Sequence, residues 1–179
     1  MYDPNSPYYI QRAYGGYSPC IQGNSEHGLR PFTGSVLPNC VGFIVGAYNE
    51  YQNRGDCDLL QSTNAKNLIN VARAQGLPTG NDPVVGGVIC WSSSGAGHAA
   101  FIHSIVSSSE VVTKESGWNY DTAPIIRTIN RHKSGGAWIY KSGYTYQGII
   151  YPIGTPPTPG VITDDELAAL RCILNLEDD

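Results

Sequence analysis

The period of the apolar residues changes once along the chain, and that change limits the fold more than any other feature. Before residue 76 the apolar residues recur at helical spacing. Behind Pro38 and Asn39 they fall at Ile44, Ala47, Tyr48 and Tyr51, and a second stripe joins Ala65, Leu68, Ile69 and Ala72. This predicts one helix from Cys40 to about Asn53 and another over 63–75, with Gly76 suited to its C-cap. After Pro78 and Pro83 the pattern turns to short β-prone runs at 84–91, 98–106, 111–118, 124–129, 137–140 and 146–151. A small-residue loop from Ser92 to Gly97 and a serine turn at Ser107, Ser108 and Ser109 separate the early runs. Helices followed by a run of antiparallel strands predict an α+β domain with its helices on one side of a sheet.

Residues 1–36 are rich in Tyr, Gly and Pro and read as irregular pieces laid over that core, so the expected domain is 1–152, closed by Pro152. Residues 153–162 form a stiff Pro/Gly linker by composition. Thr163 and Glu166 have capping-box spacing, and Leu167, Leu170 and Leu174 give residues 163–179 one apolar helical stripe. So short a helix is unstable alone and must dock on the domain, self-associate with a copy of itself, or begin a further module.

Bulk properties remove several functions. The 11 basic and 15 acidic residues leave a net charge of −4, with no basic run to neutralise phosphates, which argues against a nucleic-acid partner. No apolar run approaches the length of a membrane span, so no membrane insertion is expected. The N-terminus has neither the basic nor the apolar region of a signal peptide, which predicts a soluble product of the cytoplasm. Five cysteines (Cys20, Cys40, Cys57, Cys90, Cys172) contain no CxxC pair, and the four histidines make no zinc-like cluster. An obligatory disulfide framework, a metal site and a cofactor are therefore not expected, although a Cys20–Cys57 pairing stays open.

Cys40 draws attention by position. Asn39 is a good N-cap, which makes Cys40 the first residue of its helix. The first turn carries unpaired N–H groups and a partial positive charge that favour an anion, whether a thiolate or the oxyanion formed when it attacks a carbonyl. The competing reading is a buried structural cysteine. A nucleophile needs a base. His98 follows the Gly-rich loop and opens the apolar run Ala99-Ala100-Phe101-Ile102, where its ring can reach a cleft at the sheet's end. His103, at odd spacing from it, points to the other face of a regular strand, and His27 and His132 lie in polar surroundings. An orienting acceptor comes from the returning strand, as Glu115 or, in reserve, Asn119. A symmetric hairpin centred on Ser108 would aim Glu115 away from His98; a one-residue change of register or a bulge would turn it back.

These residues resemble the motifs of the CHAP family, the cysteine- and histidine-dependent amidohydrolases/peptidases. Pro38-Asn39-Cys40-Val41-Gly42-Phe43 is similar to the cysteine motif. Gly86-Gly87-Val88-Ile89-Cys90-Trp91 with Gly97-His98-Ala99-Ala100-Phe101-Ile102 is similar to the histidine motif. Thr113-Lys114-Glu115-Ser116-Gly117-Trp118-Asn119 resembles the acidic motif, and Gln147-Gly148-Ile149-Ile150-Tyr151-Pro152 the closing strand. The resemblance spans about residues 36–152. It departs from the family where Gly87 replaces a common Asp, where Gly117 replaces an Asn, and where Arg30 to Pro38 lacks the acids of a calcium loop.

The resemblance implies a papain-like fold and peptidoglycan as the substrate. It makes Cys40 the nucleophile, His98 the general base, Glu115 or Asn119 its orienting partner and Asn39 an oxyanion donor. Trp118 and Tyr120 would line the substrate groove, while Trp91 is assigned to the core. The reaction would be that of an N-acetylmuramoyl-L-alanine amidase or of a stem or cross-bridge endopeptidase. The family's setting is a phage endolysin or a bacterial cell-wall autolysin; the missing signal peptide favours the endolysin, made in the host cytoplasm and released to the wall through a holin. A non-catalytic wall-binding or virion structural module, or another papain-like cysteine hydrolase, are the alternatives.

Overall fold

The computed structural model describes residues 22–23, 36–37, 39–52, 59–60, 63–117 and 126–154. The 163–179 helix, most of the linker and of the 1–36 segment, Cys20, Cys57, Cys172 and His27 lie outside the described residues.

Two helices pack on a seven-stranded, curled antiparallel sheet, so the architecture is α+β. In chain order the elements are β1 (Gln22–Gly23), β2 (Val36–Leu37), α1 (Cys40–Tyr51), α2 (Ala65–Ala74), β3 (Thr79–Gly80), β4 (Val88–Ser92), β5 (His98–Ser107), β6 (Glu110–Glu115), β7 (Arg127–Ser134), β8 (Ala137–Trp138) and β9 (Thr145–Ile150). The sheet order is β3-β9-β4-β5-β6-β7-β8, with β1 and β2 forming a separate parallel pair. No helix among the described residues is long and apolar enough to cross a membrane.

Residues Val41 to Asn49 of α1 are all buried, so the helix that carries the cysteine is enclosed rather than amphipathic. Its buried Asn49 is satisfied locally, donating to the Val45 carbonyl at 2.7 Å and accepting from the Leu59 N–H at 2.8 Å. Helix α2 has one apolar face, with Ala65, Leu68, Ile69 and Ala72 buried as their spacing predicts. It ends at Gly76, with φ 75°, where Gly76 N–H bonds to Arg73 and Leu77 N–H to Ala72, the bonds of a Schellman motif.

Strand alternation divides the sheet's buried side chains in two. Val88, Cys90, Ala99, Phe101 and Ile150 pack with the helical residues Phe43, Ile44, Tyr48 and Leu68. Ile89, Trp91, Ala100, Ile102, Val111, Trp138 and Ile149 form a second cluster on the opposite face. The Tyr48 hydroxyl donates to the Tyr151 carbonyl at 2.7 Å and ties α1 to the chain leaving β9.

Three boundaries depart from the sequence expectations. The strand predicted from Val84 begins at Val88, because the chain turns at Gly86, whose φ is 83° and where a Cβ would collide with the Tyr51 ring. The strand predicted to run to Trp118 ends at Glu115. The strand predicted at 124–129 instead runs from Arg127 through the polar stretch to Ser134.

Candidate active site

The first turn of α1 is built as the sequence suggests. The Asn39 side-chain oxygen accepts from the Gly42 N–H at 3.0 Å, and the Asn39 carbonyl accepts from Phe43 N–H at 3.0 Å. This cap fixes the orientation of the Asn39 amide, leaving its NH₂ group as a donor beside the cysteine. Cys40 is half-buried, whereas Cys90 is fully enclosed and burial, aided by Cys40, pushes its thiol far up. The two thiols thus differ in the accessibility that a nucleophile requires.

His98 is placed by the loop that precedes it. Ser93 Oγ accepts from Gly95 N–H at 3.2 Å and Gly97 N–H at 3.1 Å, and Lys66 N–H at the start of α2 donates to the Ala96 carbonyl at 2.8 Å. Gly97 sits at φ 81°, with so little room that an added Cβ would lie 2.5 Å from the Trp91 carbonyl oxygen and 2.6 Å from the Lys66 nitrogen. Only glycine meets both conditions. His98 then enters β5 opposite Trp91, on the sheet face away from the helices, and its ring stacks on Trp91 at a 6.0 Å centroid separation.

The β5–β6 hairpin contains two register shifts, between Ile102 and Ser104 and between Ile105 and Ser107. The tip pairing of Ser107 with Glu110 puts Glu115 on the sheet face of Ala100 and His98, and the two shifts together, which bring Phe101 opposite Lys114, move it from the level of Ile102 to that of Ala100, nearer His98. His98 Nε2 and Glu115 Oε2 are 2.8 Å apart. Cys40 lines the same cavity as His98, close enough for its thiol to bear on the titration of the imidazole. Burial alone would lower the His98 pKa, but hydrogen bonds to Cys40 and Glu115, and their charges, hold it above its ordinary 6.5.

Glu115 is fully buried and heavily supported. Arg131 on β7 grips both carboxylate oxygens, Nε to Oε1 at 2.7 Å and an Nη to Oε2 at 2.6 Å, while the Thr113 hydroxyl donates to Oε1. Burial would raise this carboxyl, yet the hydrogen bonds and charges of His98 and Arg131 bring it down to about 2 from an ordinary 4.5. Tyr140 closes the group. Its ring stacks on His98 at 4.2 Å and 17°, and the Arg131 guanidinium carbon lies 4.6 Å from its centroid.

Of the residues assigned from sequence, Asn39, Cys40, His98 and Glu115 come together, while Trp118, Asn119 and Tyr120 lie outside the described residues. His132 is exposed on β7, and neither it nor His103 lines the cavity described below. Trp91 is wholly buried, its indole N–H donating to the Trp138 carbonyl at 2.6 Å. Sequence reading passed over Arg131 and Tyr140. Arg131 shares the sheet face of Val111, its partner across the β6–β7 ladder, and a positive residue at an inward position of a strand is the signal that would have singled it out.

The sulfur end of this assembly opens into a cavity of about 700 Å³ lined by Asn39, Cys40, the 93–97 loop, His98, Gly117 and the 140–144 segment. A thiol at a helix N-terminus, an imidazole held by a buried carboxylate and an open cavity are the groups that nucleophilic catalysis by a thiol requires. Residues 31–117 of this chain match the family model described as CHAP domain. Over 47 residues it is also 38% identical to a protein of Streptococcus mutans serotype c (strain ATCC 700610 / UA159) named "Putative hydrolase". That match takes in 26% of this chain and 22% of the relative, so the chain spans about a fifth of the relative's length.

Proposed function

We propose that this chain hydrolyses an amide bond of peptidoglycan through a thioester on Cys40. One observation carries the reading: the Cys40–His98–Glu115 contacts, braced by Arg131, end at their sulfur in an accessible cavity. The thiolate of Cys40 adds to the amide carbonyl. The oxyanion is received by the N–H groups of the first helical turn and the Asn39 amide. His98-imidazolium gives its proton to the leaving amine as the C–N bond breaks. A water deprotonated by His98 then attacks the thioester, and the carboxylic acid leaves as the thiolate re-forms. Glu115 keeps the ring oriented and stabilises its charged form. Asn119 remains its reserve partner by sequence alone.

The cysteine-bearing helix against a sheet that presents the histidine supports a papain-like arrangement. Gly117 lines the cavity, which keeps Trp118 and Tyr120, just downstream, in the proposal as groove residues. The scissile bond is the muramoyl–L-alanine amide or a peptide bond of the stem or cross-bridge, and the setting is lysis of a bacterial wall, as for a phage endolysin.

The test is digestion of purified walls with mass analysis of the fragments. The wild type should release new amines, and Cys40→Ala, still folded, should release none. A new N-terminal L-alanine identifies the amidase, and other new amines an endopeptidase. Undiminished lysis by Cys40→Ala, or intact walls with the wild type, would refute the reading.

A further inference from the structure

The cavity wall next to His98 is a short tyrosine-rich turn that the reaction itself does not use. Tyr144 N–H donates to the Lys141 carbonyl at 3.2 Å, and Gly143 at φ 81° supplies the left-handed position that closes the turn. The turn is anchored to the sheet, since Ile139 N–H donates to the His132 carbonyl at 3.0 Å and the Tyr140 ring is stacked on His98. Tyr140 and Tyr144 meet edge to face at 4.6 Å. Between them they hold the Lys141 ammonium, 5.2 Å from one ring centroid and 5.1 Å from the other.

The charge pattern of the cavity is one-sided. Among the described residues its lining contains Lys141 and the titratable His98 and Cys40, with no carboxylate side chain. The nearby Glu115 is covered and already shared between His98 and Arg131. A substrate anion would therefore find an ammonium that no acid among the described lining residues neutralises. The Tyr140 ring is 4.2 Å from the imidazole and the ammonium 5.2 Å from that ring. At about 3.3–3.6 Å per extended residue, these separations place Lys141 within two or three substrate residues of the reacting bond.

Resting on the peptidoglycan reading, we infer that Lys141, held by Tyr140 and Tyr144, binds a free carboxylate of the stem peptide close to the scissile amide. It thereby selects acidic stems over amidated ones. The contact is made in the ground state and the transition state alike, so it acts through KM.

The experiment uses a matched set of synthetic muramoyl peptides carrying the full stem and its cross-bridge, with the free carboxylates converted to carboxamides one at a time. Each is turned over by wild type, Lys141→Gln and Lys141→Arg. Amidation of one particular carboxylate should reduce wild-type kcat/KM about fivefold, mostly in KM, and added salt should shrink the difference. Lys141→Gln should treat the two forms alike, and Lys141→Arg should keep the preference. An equal preference in wild type and Lys141→Gln, or none in the wild type, overturns the subsite while leaving the hydrolase standing. Failure to turn over any member of the set overturns the peptidoglycan reading, and the subsite with it.

Discussion

Replacing Arg131 with glutamine tests how the site is held together. The guanidinium contributes two short charge-assisted bonds to a carboxylate that has no solvent exposure. Removing one partner of such a pair leaves a buried charge under-compensated, which costs about 3–5 kcal/mol. The titration of Glu115 sets the scale for the whole set of partners that hold its carboxylate. Its folded pKa of about 2 lies below the ordinary 4.5. Glu115 thus contributes stability that is present above pH 4.5 and lost as pH falls toward about 2. A depression of that size corresponds to about 3 kcal/mol at neutral pH, summed over all its partners. The lower end of the deletion cost, about 3 kcal/mol, is taken for Arg131. With a urea m-value of about 2 kcal/mol/M, Arg131→Gln should lower the midpoint by roughly 1.5 M at pH 7. The gap should narrow on acidification, because protonating Glu115 removes the charge that Arg131 compensates. A shift below about 0.5 M would refute the cost assigned to the buried charge. A large gap independent of pH would instead trace the loss to the packing of Arg131 under Tyr140 and near Trp91.

Three more outcomes are expected. Iodoacetamide should label Cys40 rapidly near neutral pH and leave Cys90 untouched in the folded protein, as read by peptide mass mapping; labelling of Cys90 at a similar rate would contradict its enclosure. Because His98 is held above 6.5 by Cys40 and Glu115, the stability of its charged form is complete below pH 6.5 and lost as pH rises through the folded value. Wall hydrolysis should accordingly persist above pH 6.5 before declining, and Glu115→Gln should move that alkaline limb of kcat/KM to lower pH; an unmoved limb would detach Glu115 from the imidazole. Gly97→Ala should destabilise the fold by at least about 1–2 kcal/mol from backbone strain alone, and should reduce turnover by displacing His98. Wild-type melting and activity in that variant would count against the tight packing described for the 93–97 loop.

Local signals carried the sequence reading furthest. The Asn39 cap, the start of α1 at Cys40, the α2 stripe and its glycine stop each depend on neighbours within a few residues, and each is visible in the residue order. The placing of Glu115 was not, because its face depends on which serines form the hairpin tip and its level on two extra residues in β5, and serine-rich hairpins announce neither. Arg131 was hidden for a related reason. Its strand contains Asn130, His132 and Lys133 and has little apolar alternation, so β7 was expected to stop at Ile129, two residues short of the group that grips the carboxylate. Tyr140 belongs to a turn whose position beside His98 is set by tertiary packing. The early start expected for β4 failed at Gly86, where the Tyr51 ring, more than thirty residues away in the chain, takes the space.

The tip pairing of Ser107 with Glu110 also makes the site sensitive to arithmetic in the hairpin. Side chains alternate along a strand, so what reaches His98 depends on whether the number of residues joining it to Glu115 is even or odd. A single insertion or deletion between Ser104 and Ser109 that carries the ladder along would present Lys114 to the imidazole and expel the acid. Changes of two would restore the pairing. Homologous hydrolases built on this hairpin should therefore vary its tip in steps of two, or compensate an odd step with another bulge.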